Sequence, residues 1–68
     1  FATVVDFKLV NNEINIYSTN GYLLSFKATN GNLNYSGRLN KKGILSEIFF
    51  LNDYMLFVDN RNRLLKFN

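Results

Sequence analysis

NNEINIYSTNGYLLSF (Asn11–Phe26) and NDYMLFVDNRNRLLKF (Asn52–Phe67) are two versions of one pattern. Leu64, Leu65 and Phe67 each stand 41 residues after Leu23, Leu24 and Phe26. Each copy opens on an asparagine-containing pair, runs through a strand-like segment, reaches a second turn and returns through an apolar segment. A period of roughly 40–45 residues made of short strands is that of a β-propeller blade. The pattern predicts an all-β chain of antiparallel four-stranded meander blades, with about one and a half blades present.

Working outward from the first copy, Thr3–Val10 (TVVDFKLV) mixes β-branched and aromatic residues with polar Asp6 and Lys8 and reads as a strand. Asn11-Asn12 tolerates the left-handed backbone of a tight turn. Glu13–Thr19 follows, with Ile14 and Ile16 on one face and Asn15 and Tyr17 on the other. Asn20-Gly21 is a strong hairpin signal and predicts a type I′ turn, which needs positive φ at both central residues. Tyr22–Lys27 is the third strand, Asn30-Gly31 repeats the turn device, and Asn32–Ser36 is the fourth. The reading divides the chain into a first blade over 3–36, a crossover loop over 37–43 and a partial second blade over 44–68.

In the second unit Ile44–Leu51 aligns with Thr3–Val10, so Glu47 falls at the place of Asp6. Tyr54–Asp59 is apolar on both faces, as expected of a strand packed between neighbours. Asn62 stands where Gly21 stood, and asparagine is a good non-glycine residue for positive φ. Arg63–Phe67 makes a third strand, which would present an open edge. The chain opens on Phe1 rather than methionine, which suggests a processed protein or a fragment.

Composition sets the outer bounds. The 68 residues suffice for one small domain, and a hydrophobic content of 47% is that of a folded chain. Cysteine and histidine are both absent, which removes disulfides, thiolate metal sites and the commonest general base. Four serines therefore have no histidine within the chain to activate them. No stretch approaches the ~20 apolar residues of a membrane-spanning helix. The net charge is +3, and Arg38, Lys41 and Lys42 form the tightest basic cluster, in one loop. Three basic residues among interspersed acids read more simply as a solvated loop than as a nucleic-acid site.

Asn12–Tyr35 resembles the quinoprotein-type (PQQ-like) β-propeller repeat. Gly21 stands at its turn glycine, Leu23-Leu24 at its hydrophobic pair and Ser25-Phe26-Lys27-Ala28 at its Ala-Leu-Asp-Ala core. Asn30-Gly31 stands at its Thr-Gly turn and Tyr35 at its docking tryptophan, so Lys27, Asn30 and Tyr35 depart from the common Asp, Thr and Trp. In style the chain is similar to the non-catalytic BamB-like lipoproteins of outer-membrane assembly. The resemblance implies a non-enzymatic scaffold for protein–protein interaction in the periplasm or cell envelope, with no cofactor. Its partners would be other proteins, further blades or copies of the same chain, and not nucleic acid.

The alternatives are a blade of a quinone-dependent dehydrogenase and a self-assembling repeat without activity of its own. The dehydrogenase needs a calcium site, and the oxygen-rich Asp59-Asn60-Arg61-Asn62 is better explained as a hairpin turn, because Arg61 would repel the ion. Asp6 and Glu47 read as exposed strand carboxylates, Asp6 as a partner for Lys8. Phe49, Phe50 and Phe57 are assigned to packing. Tyr22, Arg38, Lys41 and Lys42 are the interaction candidates, an aromatic beside a turn and the basic residues of a loop.

Overall fold

The computed structural model describes residues 2–68, and all regular structure in them is β. Strands β1 (Val4–Val10), β2 (Glu13–Ser18), β3 (Tyr22–Lys27) and β4 (Leu33–Arg38) form one antiparallel meander in the order β1-β2-β3-β4. Strands β5 (Phe49–Leu51), β6 (Tyr54–Val58) and β7 (Leu64–Phe67) form a second, three-stranded antiparallel sheet. The molecule extends over 36 × 32 × 15 Å.

The turns follow asparagine and glycine chemistry, with one exchange of roles. Asn11 and Asn12 both have positive φ (49° and 64°) and join Val10 to Glu13 in a two-residue connection, so this pair makes the I′ turn. Asn20-Gly21 does not, because only Gly21 is left-handed (φ 88°). The Gly21 N–H donates to the Ser18 carbonyl at 2.9 Å, closing a turn of Thr19, Asn20 and a left-handed glycine. Asn30-Gly31 ends a longer loop in which the Gly31 N–H reaches back to the Lys27 carbonyl at 2.8 Å. In the second unit the Asn62 N–H donates to the Asp59 carbonyl at 3.0 Å with φ 60° at Asn62. That reproduces the Ser18–Gly21 turn 41 positions on, with asparagine in the place of glycine.

Two strand boundaries differ from the sequence reading by more than one residue. Gly37 and Arg38, read as the start of the crossover, are the last residues of β4 and pair with Leu23 and Tyr22. Ile44–Ile48, read as strand, lies outside regular structure, and only Phe49–Leu51 pairs with β6. The cause is Ser46, whose Oγ accepts the Val58 N–H at 2.8 Å and takes a place that a strand carbonyl would fill. The first unit is disturbed at the equivalent position, where β1 carries an irregularity between Val4 and Asp6.

The core lies between the sheets. Tyr17 from β2 and Phe57 from β6 meet Ile44 and Ile48, all at most 1% exposed. Val5, Leu23, Leu39, Met55, Leu65 and Phe67 pack around them. The rings of Phe57 and Phe67 stack with centroids 5.3 Å apart. The inner face of the first sheet thus carries Tyr17 and Leu23, and that of the second carries Met55, Phe57, Leu65 and Phe67. Phe57 packs as expected, but Phe49 and Phe50 are 63% and 50% exposed. Phe49 pairs with Leu56 and so shares the outward face of the second sheet.

Candidate interaction site

The connector Leu39–Gly43 fastens the two sheets and creates the surface that carries the basic residues. The N–H groups of Leu39 and Asn40 both donate to the Gly21 carbonyl, at 2.7 and 3.2 Å. The Ile44 N–H donates to the Thr19 carbonyl at 3.2 Å, as does Asn60 Nδ2 at 3.3 Å, and the Asn60 N–H donates to the Lys42 carbonyl at 3.1 Å. Gly43 makes this crossing possible. It is left-handed (φ 79°), and a Cβ there would run into Asn60 Nδ2 and the Thr19 carbonyl.

All four interaction candidates are brought together at this end. Tyr22 and Arg38 are cross-strand partners on β3 and β4, with the guanidinium 5.6 Å from the ring centroid. Arg38 Nε also donates to the Asn20 carbonyl at 3.2 Å and Nη2 to the Lys41 carbonyl at 3.4 Å. Lys41 and Lys42 are exposed in the adjoining turn. Beside Tyr22 opens a groove of about 470 Å³ lined by Ala2, Val4, Ile16, Ser18, Asn20, Tyr22 and Leu24. An apolar floor with a cationic, aromatic rim can receive an extended or apolar protein surface with acidic neighbours.

Two carboxylates hold structure rather than line this groove. Asp6 has Lys8 as its ion partner at 3.4 Å, as read, but it is not simply an exposed strand carboxylate. Its Oδ2 accepts the Ile48 N–H at 2.8 Å, joining β1 to the segment before β5. Burial pushes its pKa upward, yet the N–H groups of Ile48 and Phe7 and the Lys8 ammonium outweigh it and hold the carboxyl below its ordinary value. Glu47, its repeat counterpart, is exposed.

Asp59 has no exposed surface. Its Oδ1 accepts the N–H groups of Arg61 and Arg63, both at 2.9 Å, and its Oδ2 faces Arg63 Nε and Nη2 at 2.9 and 2.8 Å. The carboxylate is sealed by its own turn rather than by depth of protein. Burial again raises its pKa, and the Arg63 and Arg61 donors with the Arg63 charge more than reverse it, so the net direction is down. The turn reading of Asp59-Asn60-Arg61-Asn62 is therefore fulfilled in detail, with the carboxylate oxygens engaged by donors within four residues. Among the described residues no three acidic side chains converge as a metal-binding group.

Sequence reasoning missed the groove floor and the inter-sheet role of Asp6. The floor was accessible from register, because Ile16 lies opposite Leu24 and so shares its face. The Asp6 contact spans 42 residues and has no local signal. No protein-family model, no curated protein and no solved structure matches the chain.

Proposed function

We propose that the chain is a non-enzymatic repeat scaffold for protein–protein recognition, built from PQQ-like β-propeller blades and working in outer-membrane protein assembly in the cell envelope. The observation that carries the scaffold reading is the 41-residue repeat expressed as two sheets with equivalent turns, packed face to face. The specific family and the envelope role rest on the sequence resemblance. In this reading the rim of Tyr22, Arg38, Lys41 and Lys42 meets the partner, and the apolar groove beside it takes the partner's hydrophobic residues. Cations on the rim steer an acidic partner and set register more than they add affinity.

The test is affinity purification of the tagged native protein from envelope extracts, beside a variant carrying Arg38→Glu and Lys41→Glu. The expected result is recovery of outer-membrane assembly components with the native protein and their loss with the variant. Recovery without such components counts against the envelope role. Calcium-dependent binding of a quinone would instead favour the dehydrogenase reading.

A further inference from the structure

The two sheets are stacked in one direction only, and this leaves a matching pair of faces open. The inner face of the second sheet carries Met55, Phe57, Leu65 and Phe67 and packs on the inner face of the first, with Tyr17 and Leu23. Moved back by 41 positions, that second-sheet face is Ile14, Ile16, Leu24 and Phe26, the outer face of the first sheet. Moved forward by 41, the first sheet's inner face contains Val58 and Leu64, the outer face of the second. The interface already formed inside the chain is thus one of a series, and both halves of the next one are present and uncovered.

Exposure agrees with this equivalence at Phe7 and Leu64, while Ile16, Leu24 and Val58 are half-buried. Ile48 is 1% exposed in the existing interface, while its counterpart Phe7 is 64% exposed on the outer face of the first sheet. Leu23 packs against the core, while its counterpart Leu64 is 69% exposed on the outer face of the second. The groove beside Tyr22 lies on the same first-sheet face, and its floor residues Ile16 and Leu24 are the counterparts of Phe57 and Leu65.

We propose that the outer face of the first sheet, centred on Phe7, Ile16 and Leu24, docks the outer face of the second sheet of another copy of this chain, around Val58 and Leu64. The proposal rests on the repeat part of the functional reading, and it gives the groove over Ile16 and Leu24 a copy of this chain as its occupant, one of the partner classes the sequence allows. The contact is heterologous: two different patches meet, each copy keeps one patch free, and association proceeds head to tail. Continuity with the existing interface selects the second copy over an unrelated apolar partner, because the incoming surface is one whose equivalent this face type already binds.

The experiment is sedimentation velocity of the 68-residue chain from micromolar to millimolar concentration, with Phe7→Lys, Leu64→Lys and their equimolar mixture. The wild-type chain is expected to associate progressively. Each variant alone should be monomeric, since every contact in it lacks one patch. The mixture should form a one-to-one dimer and nothing larger, because one intact patch remains on each partner. Circular dichroism checks the fold of both variants, with Phe7→Thr and Leu64→Thr as replacements should a lysine unfold the chain. A folded wild type that stays monomeric to millimolar concentration overturns the proposal. Continued association of the Leu64→Lys variant overturns it too, since that would mean first-sheet faces pair with each other. A chain without β structure in solution would instead overturn the repeat reading beneath it.

Discussion

Phe7 and Ile48 occupy the same place in two copies of one repeat, yet one is 64% exposed and the other 1%. The same division separates Leu64 from Leu23. The apolar pattern belongs to the repeat unit, while burial depends on whether a neighbouring sheet lies on that face. An exposed hydrophobic residue ordinarily means little, but a face of them equivalent to a packed face carries information. The polar positions differ in the same way. Asp6 joins the sheets through the Ile48 N–H, and its counterpart Glu47 is exposed.

The largest test of this contrast is truncation of equivalent residues in the two sheets. Phe57→Ala removes a ring from the centre of the core and should cost about 3–5 kcal/mol. A 68-residue chain has a total stability of roughly 3–10 kcal/mol, so the variant should be largely unfolded in urea titration. Its counterpart Ile16→Ala should cost only about 1 kcal/mol in the monomer, because that face has no covering sheet. Equal losses would mean that the two faces are not in different environments.

The second contrast lies in the turns. At equivalent positions Ser18 and Asp59 cap the same backbone turn, with the Tyr22 N–H donating to Ser18 Oγ at 3.2 Å and the Arg63 N–H to Asp59 Oδ1 at 2.9 Å. The charged cap accepts further donors from Arg61 N–H and the Arg63 side chain, and bonds to a charged acceptor are the stronger kind. Asp59→Ala should therefore lower Tm by on the order of 10 °C, and Ser18→Ala by a few degrees at most. The reverse order would show that the charge contributes nothing to the turn.

Protonation offers a gentler form of the same comparison. The folded-state pKa values of Asp6 and Asp59 both lie below the ordinary 3.8, so the unfolded chain binds more protons than the folded one in acid. Their stabilisation is complete above about pH 5, and it is lost as the pH falls below 3.8 and through the lower folded values. In the Asp59→Asn variant the acid loss should shrink, leaving the part due to Asp6. Tyr17 acts at the other end. Burial and the Asp6 charge raise its pKa above 10.0, opposed by Asn15, so its contribution holds below pH 10 and fades as the pH climbs through the folded value. A melting-temperature profile flat from pH 2 to pH 5 would contradict the Asp6 and Asp59 assignments.

What the sequence made legible divides along the range of the interaction. The turns were readable because positive φ at Asn12, Gly21 and Asn62 is a property of single residues, although the I′ geometry went to Asn11-Asn12 instead of Asn20-Gly21. Strands β2 and β3 were readable from their alternation and closing turns. The loss of strand structure over Ile44–Ile48 was not, because it depends on a serine hydroxyl reaching a strand twelve residues away. The exposure of Phe49 and Phe50 was hidden for a related reason: Phe49 faces outward opposite Leu56, Phe50 lies opposite Met55, and composition does not show that both stand on an edge strand of the sheet. At the candidate site Tyr22, Arg38, Lys41 and Lys42 were read as residue types beside turns, while the groove that Tyr22 lines follows from cross-strand register.

The smallest expected effect concerns the one polar group that the interface leaves unsatisfied among the described residues. Ser25 is 5% exposed on the inner face of the first sheet, opposite Asn15 and Tyr35, and its Oγ is buried with no hydrogen-bond partner. A buried hydroxyl without a partner costs free energy, and removing it leaves only a hydroxyl-sized gap. Ser25→Ala should therefore be neutral or stabilising by up to about 1 kcal/mol in chemical denaturation. Its repeat counterpart Lys66 is exposed on the outer face of the second sheet, its ammonium 4.6 Å from the Tyr54 ring centroid. Lys66→Ala should cost about 0.5 kcal/mol, the scale of an exposed cation–π contact. The two substitutions thus have opposite expected signs at equivalent positions, because only the first position has a neighbouring sheet over it. Destabilisation by Ser25→Ala would mean that the hydroxyl has a partner across the interface, and that the inner face is more polar than its packing around Tyr17 indicates.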